Sequence, residues 1–132
     1  MIFIDRSLPR SIVRSLQQVR DDVQWLDDVF DQGASDTDWL KDVGAWGWLV
    51  ITRDKKILTR PGEKAAIIDH KVGAFYLTHT DNPTRWQILK AVVGALDEMI
   101  QIFESEERPF LYGLDRHGKL WRKDLLSRRR SR

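Results

Sequence analysis

Short apolar runs alternate with helix-spaced apolar positions along this chain, and that alternation predicts a layered α/β fold. Ile2-Phe3-Ile4 is wholly apolar, as expected of a strand buried on both faces. Pro9 suits a helix start, where its missing N–H costs nothing, and Ile12, Val13 and Leu16 follow at helical spacing. Val23, Trp25 and Leu26 predict a second strand between two Asp pairs. Ser35 with Asp38 three residues on resembles a capping box with Asp in the Glu position. Trp39, Leu40 and Val43 then supply the inward face of the helix it opens. Trp48 to Thr52 is the strongest strand pattern and runs into Arg53-Asp54-Lys55-Lys56. Pro61 and Glu63 begin a short helix through Ile67 and Ile68, with Gly73 as its stop. Ala74 to Thr78 predicts a further strand. Asp81 or Asn82 with Pro83 starts a long helix, whose stripe reads Trp86, Leu89, Val93, Leu96, Ile100, Phe103. Pro109 to Tyr112 predicts an edge strand, where Pro is tolerated. The expected sheet is mainly parallel, with four or five strands.

Composition narrows the class. A chain of 132 residues, 42% hydrophobic and 32% charged, fits one folded domain. It contains no Cys, which excludes a disulfide scaffold, a Cys-ligated metal and thiol catalysis. No apolar run approaches a membrane span, and Met1-Ile-Phe-Ile-Asp5 lacks the features of a signal peptide, so a cytoplasmic protein is expected. The net charge of +2 hides an asymmetry. Arg116, Lys119, Arg122, Lys123, Arg128, Arg129, Arg130 and Arg132 face only Asp124 in the last segment, whereas the body before it is acidic. The expected organisation is therefore a domain over residues 1–115 and a basic tail over 116–132, the tail's role left open.

The acids suggest where chemistry lies. Two predicted strands end in, or just before, an aspartate (Asp5 and Asp54), and Asp36 and Asp38 begin a helix between them. If the first and third strands are neighbours, these side chains converge at the carboxyl edge of the sheet, where open α/β sheets bind ligands. Crowded carboxylates call for a cation, and oxygen donors suit Mg²⁺ or Mn²⁺. Such an ion polarises a phosphodiester and acidifies an attacking water. Each acid alone also reads as a helix cap or a turn residue. Arg6, Arg10, Arg53, Lys55 and Lys56 flank the acids and are candidates for RNA phosphate contacts, with solvated surface charge as the plainer alternative. His70, His79 and His117 lack the spacing of a zinc helix. The tryptophans read mainly as core, with Trp25 and Trp121 as lesser candidates for base stacking.

Three stretches, in order, carry a resemblance. Asp5-Arg-Ser-Leu-Pro9, Ala34-Ser-Asp36-Thr-Asp38-Trp-Leu40 and Leu49-Val-Ile-Thr52-Arg-Asp54-Lys55 resemble the D-x-x-L-P, S-D-x-x-L and T-R-D motifs of PIN-like nuclease domains. Ile67-Ile68-Asp69-His70 and Asn82-Pro83-Thr84-Arg85-Trp86 are similar to a small single-domain branch grouped with VapC-type toxins. The resemblance implies a three-layer α/β/α, PIN-like fold and a metal-dependent endoribonuclease. It further implies the toxin half of a bacterial toxin–antitoxin pair, with RNA as substrate and an antitoxin protein as partner. Carried over by position, Asp5, Asp36 and Asp54 match the acidic metal-binding and catalytic residues, with Asp38 as a second candidate ligand in its motif. The chain departs from the family at Lys56, where an acid is frequent, and offers no clear counterpart to the Glu of larger PIN domains. The alternative is thus a catalytically weakened PIN-like module that binds RNA or protein. Ile88, Val92 and Met99, placed on the other face of the long helix, suggest a homodimer through that helix.

Overall fold

The computed structural model describes residues 1–79 and 82–125. Its strands are β1 (Ile2–Ile4), β2 (Val23–Trp25), β3 (Leu49–Thr52), β4 (Gly73–Leu77), β5 (Phe110–Leu114) and β6 (Leu120–Lys123). The helices are α1 (Arg10–Gln17), α2 (Leu26–Val29), α3 (Asp36–Trp46), α4 (Lys56–Thr59), α5 (Pro61–Asp69) and α6 (Arg85–Ser105). One sheet runs β2-β1-β3-β4-β5-β6, with every pair parallel except the antiparallel β5–β6.

The period-two alternation of the strands divides the core into two layers. Ile2, Ile4, Leu49, Ile51, Phe75 and Leu77 face α1 and α6, meeting Ile12, Val13, Leu16 and Val92. Phe3, Val50, Ala74 and Tyr76 face the opposite way, onto Trp39, Leu40 and Val43 of α3 and Ala66 and Ile67 of α5. Helices therefore cover both faces, which is why β1, β3 and β4 are buried at every position. This is the three-layer α/β/α fold expected. No described helix is long and apolar enough to cross a membrane.

Among the described residues the sheet has six strands rather than four or five. The additional strand is β6, which lies inside the segment read as a basic tail, and its Arg122 ion-pairs with Glu106 just beyond α6. Consequently β5 is an interior strand and not an edge: Pro109 precedes it, leaving the following N–H groups free to pair. Leu26 opens α2 instead of extending β2. Gly73 is the first residue of β4 rather than a helix stop; a side chain there would meet the rings of Phe110 and Phe103 at 2.8 and 2.9 Å. Asp81, Leu126, Arg128, Arg129, Arg130 and Arg132 lie outside the described residues.

The largest departure concerns α6. Thr84 caps this helix through a box with Gln87. Its buried stripe is Ile88, Ala91, Val92, Ala95, Leu96 and Met99, while Trp86 is 64% and Val93 55% exposed. Ala91 and Ala95 let the helix lie close to the sheet, and a stripe counted from the largest apolar residues omits them. Leu89, Ile100 and Phe103 border the core. Ile88, Val92 and Met99 are therefore buried within the chain and unavailable to a second copy.

Candidate active site

The strand order sets the site. From β1 the chain crosses to β2 on one side and then returns to β3 on the other, so the order reverses between β1 and β3. Side chains just beyond the carboxyl ends of these two strands border the crevice that forms at such a switch point. Asp5 follows β1, Asp54 lies two residues beyond β3, and α3 brings in Asp36 at its first turn. A cavity of about 180 Å³ opens between them, with Asp5, Ser7, Asp36, Trp39, Asp54 and Lys56 in its wall.

Each carboxylate is held by a local device. Asp5 is buried, and its Oδ1 accepts from the Ser7 hydroxyl and, at 3.0 Å, from the Ser7 N–H. Its Oδ2 accepts from the Thr52 hydroxyl at 2.6 Å. The same two hydroxyls accept the N–H groups of Arg53 and Asp54 at 2.7 and 3.0 Å, so Asp5 is tied to the turn that carries Asp54. Burial raises the Asp5 carboxyl to about 6, against the lowering effect of its hydrogen bonds from Ser7 and Thr52. Asp36 Oδ1 accepts from the buried Trp39 indole at 3.0 Å, and Asp54 Oδ1 accepts from the Lys56 N–H at 3.0 Å. Gly44 keeps α3 against the end of α5, since a side chain there would lie 2.3 Å from the His70 carbonyl.

The remaining oxygens of Asp36 and Asp54 share one cation. Lys56 Nζ lies 3.6 Å from Asp36 Oδ2 and 3.3 Å from Asp54 Oδ2. Asp36 first, and then Asp54, hold the Lys56 ammonium above the usual lysine value. Each acid thus satisfies a local hydrogen bond with one oxygen and faces the cation with the other.

The structure brings Asp5, Asp36 and Asp54 to one cavity but not Asp38. That side chain is exposed and reaches back to the Ser35 N–H at 3.4 Å, completing the capping box. Among the cations, Arg6 also lines the cavity while pairing with Asp27 at 2.9 Å. Arg10 instead stacks over Trp25, 5.1 Å from the ring centre. Lys55 is exposed, and the charge of Arg53 acts on Tyr76 and His79 on the β4 side. The sequence reading missed Ser7, Thr52 and Trp39, which position the acids. Their signal was local: a hydroxyl two residues from an Asp in Asp5-Arg-Ser7 and in Thr52-Arg-Asp54.

Carboxylate oxygens are donors of the kind a hard divalent ion takes, and between Asp36 and Asp54 they face Lys56 Nζ. Among the described residues, no three His, Asp or Glu side chains are arranged to hold an ion together. Asp36 and Asp54 are the two carboxylates that face a common cation position, and the Lys56 ammonium fills it.

An acidic crevice at the switch point of a three-layer α/β/α sheet is consistent with a nuclease-type fold. The chain belongs to the PIN-like domain family: the family model described as a PIN-like domain matches residues 1–79. That span runs from β1 to just beyond β4 and contains all three aspartates. Comparison with curated proteins and with solved structures finds no match.

Proposed function

We propose that this PIN-like domain is an endoribonuclease that hydrolyses RNA phosphodiester bonds with Mg²⁺ or Mn²⁺ held by Asp36, Asp54 and Asp5. The observation that supports it most is the shared cation position between Asp36 and Asp54, beside a third carboxylate fixed by Ser7 and Thr52. The ion would supply polarisation of the phosphodiester and a water acidified for attack. The protein's own part is positioning. Trp39 fixes Asp36, the turn at Lys56 fixes Asp54, and Asp5 sits rigidly on the cavity wall. Lys56 holds the cation position, and its side chain is 41% exposed at the mouth of the cavity. Displaced, it joins Arg6 as a cation for the RNA backbone.

The test is cleavage of single-stranded RNA by pure protein. Cleavage is expected with Mn²⁺ or Mg²⁺, none with EDTA, and none with Asp54→Asn. Cleavage that persists in EDTA would sink the metal assignment. The ammonium between the two acids also favours a second reading, a weakened module that binds RNA without cutting it; metal-independent RNA binding with no cleavage is its signature. The resemblance to VapC-type toxins extends the proposal to a toxin–antitoxin pair. Production of the chain alone would then arrest bacterial growth, and the product of an adjacent reading frame would restore it.

A further inference from the structure

A second cavity, of about 340 Å³, opens on the same edge of the sheet, with His79, Asn82, Gln87, Lys90, Arg116 and His117 in its wall. His79 follows β4 and Arg116 follows β5, both parallel to β3, so their carboxyl ends point the same way as those carrying the acids. From β3 to β5 is two strand spacings, about 10 Å. His79 is only 8% exposed, and among the described residues neither ring nitrogen has a hydrogen-bond partner. A buried imidazole with two unpaired nitrogens is costly unless a ligand or water completes it.

The surroundings indicate the chemistry of that ligand. Lys90 and Arg116 line the cavity, and the charges of Arg53 and Arg116 reach His79, which together with burial holds its imidazole below the ordinary histidine value. The acid acting on His79, Asp115, is engaged by the N–H groups of His117 and Lys119 at 2.8 and 2.9 Å. The start of α6, a helix of 21 residues, adds its positive end. The wall therefore favours an anion. Beside it, Trp86 is 64% exposed, with Lys90 Nζ 5.9 Å from its ring centre. An open indole next to a cation suits a nucleobase and its phosphate better than a free anion.

We propose that this cavity is a phosphate subsite for the RNA strand flanking the acidic crevice, with Lys90 facing the phosphate, His79 as its buried hydrogen-bond partner and Trp86 beside the base. The subsite rests on the reading that RNA is what this chain binds.

Binding measured in EDTA separates the subsite from cleavage. A short fluorescent single-stranded RNA is titrated with the full chain and with Lys90→Glu, a surface change on α6. In parallel, the imidazole ¹H–¹⁵N resonances of the wild-type protein are followed with RNA and, separately, with inorganic phosphate. His79→Leu assigns the His79 signal, and Lys90→Glu carries the test if that variant does not fold. Lys90→Glu is expected to weaken RNA binding about tenfold, and His79 signals are expected to move with RNA. RNA binding unchanged by Lys90→Glu, or His79 signals unmoved at saturating RNA, would overturn the subsite. A response to inorganic phosphate but not to RNA would likewise overturn it in favour of a free-anion site. If RNA binds as expected but is not cut with metal, the nuclease reading falls and the subsite stands. If RNA is cut with metal but Lys90→Glu binds normally, the reverse holds.

Discussion

Asp5→Asn is expected to lower RNA cleavage at least about a hundredfold while making the folded protein more stable at pH 7. The two effects have one origin. Asp5 is a carboxylate held in a buried place beside Asp54, where its charge costs free energy. Its folded pKa is raised from 3.8 to about 6, so the folded protein binds the proton more tightly than the unfolded chain does. The stabilisation from that proton is complete below pH about 4 and is lost as the pH rises through about 6, a loss on the order of 3 kcal/mol by pH 7. An asparagine carries no charge, accepts from Ser7 through its oxygen and donates to the Thr52 oxygen through its amide. Melting curves from pH 4 to 8 in EDTA check this. The variant should melt several degrees above the wild type at pH 7, with the gap closing toward pH 4. Parallel curves across that range would show that Asp5 does not bear the burial cost described.

Lys56→Ala is expected to tighten Mn²⁺ binding about tenfold or more, measured by calorimetry without RNA, and Lys56→Glu to tighten it further. In the wild type an incoming ion has to displace an ammonium that two carboxylates already hold. Removing it leaves the oxygens of Asp36 and Asp54 facing each other with nothing between, an arrangement that favours a cation. The side chain is 41% exposed, so its ion pairs contribute little to the fold, typically about 0–1 kcal/mol. Both variants should therefore remain folded, and a change in affinity reports the site itself. Equal Mn²⁺ affinity in wild type and Lys56→Ala would show that the ammonium and the ion do not compete.

The parts of the fold that were legible in the sequence share a physical reason. β1, β3 and β4 are short runs of mostly apolar residues, so their burial on both faces shows directly. The box at Ser35 and Asp38 is local chemistry and reads at sight, although it also explains why Asp38 is spent on the cap rather than on the cavity. Convergence of Asp5, Asp36 and Asp54 followed from one assumption, that β1 and β3 are neighbours, and the register pairing Ile4 with Ile51 meets it. The face of α6 was not legible, because alanines that admit close packing look unremarkable beside an exposed Trp86. β6 was hidden by its charges: Leu120–Lys123 is an edge strand with three of its four residues exposed, and nothing in it resembles a core. Lys56 was recognised as a departure, but its seat between two carboxylates is a tertiary fact. His79 showed no motif because its meaning depends on β5 and α6, which are distant in the chain.

The most direct test of the acidic crevice as a metal-dependent nuclease centre is anomalous diffraction from crystals soaked in Mn²⁺. One anomalous peak is predicted between the carboxylates of Asp36 and Asp54, with oxygens at about 2.1 Å, Asp5 in contact directly or through water, and Lys56 turned outward. Crystals that show no manganese in this crevice at saturating concentration, with the Lys56 ammonium still between Asp36 and Asp54, would contradict the account.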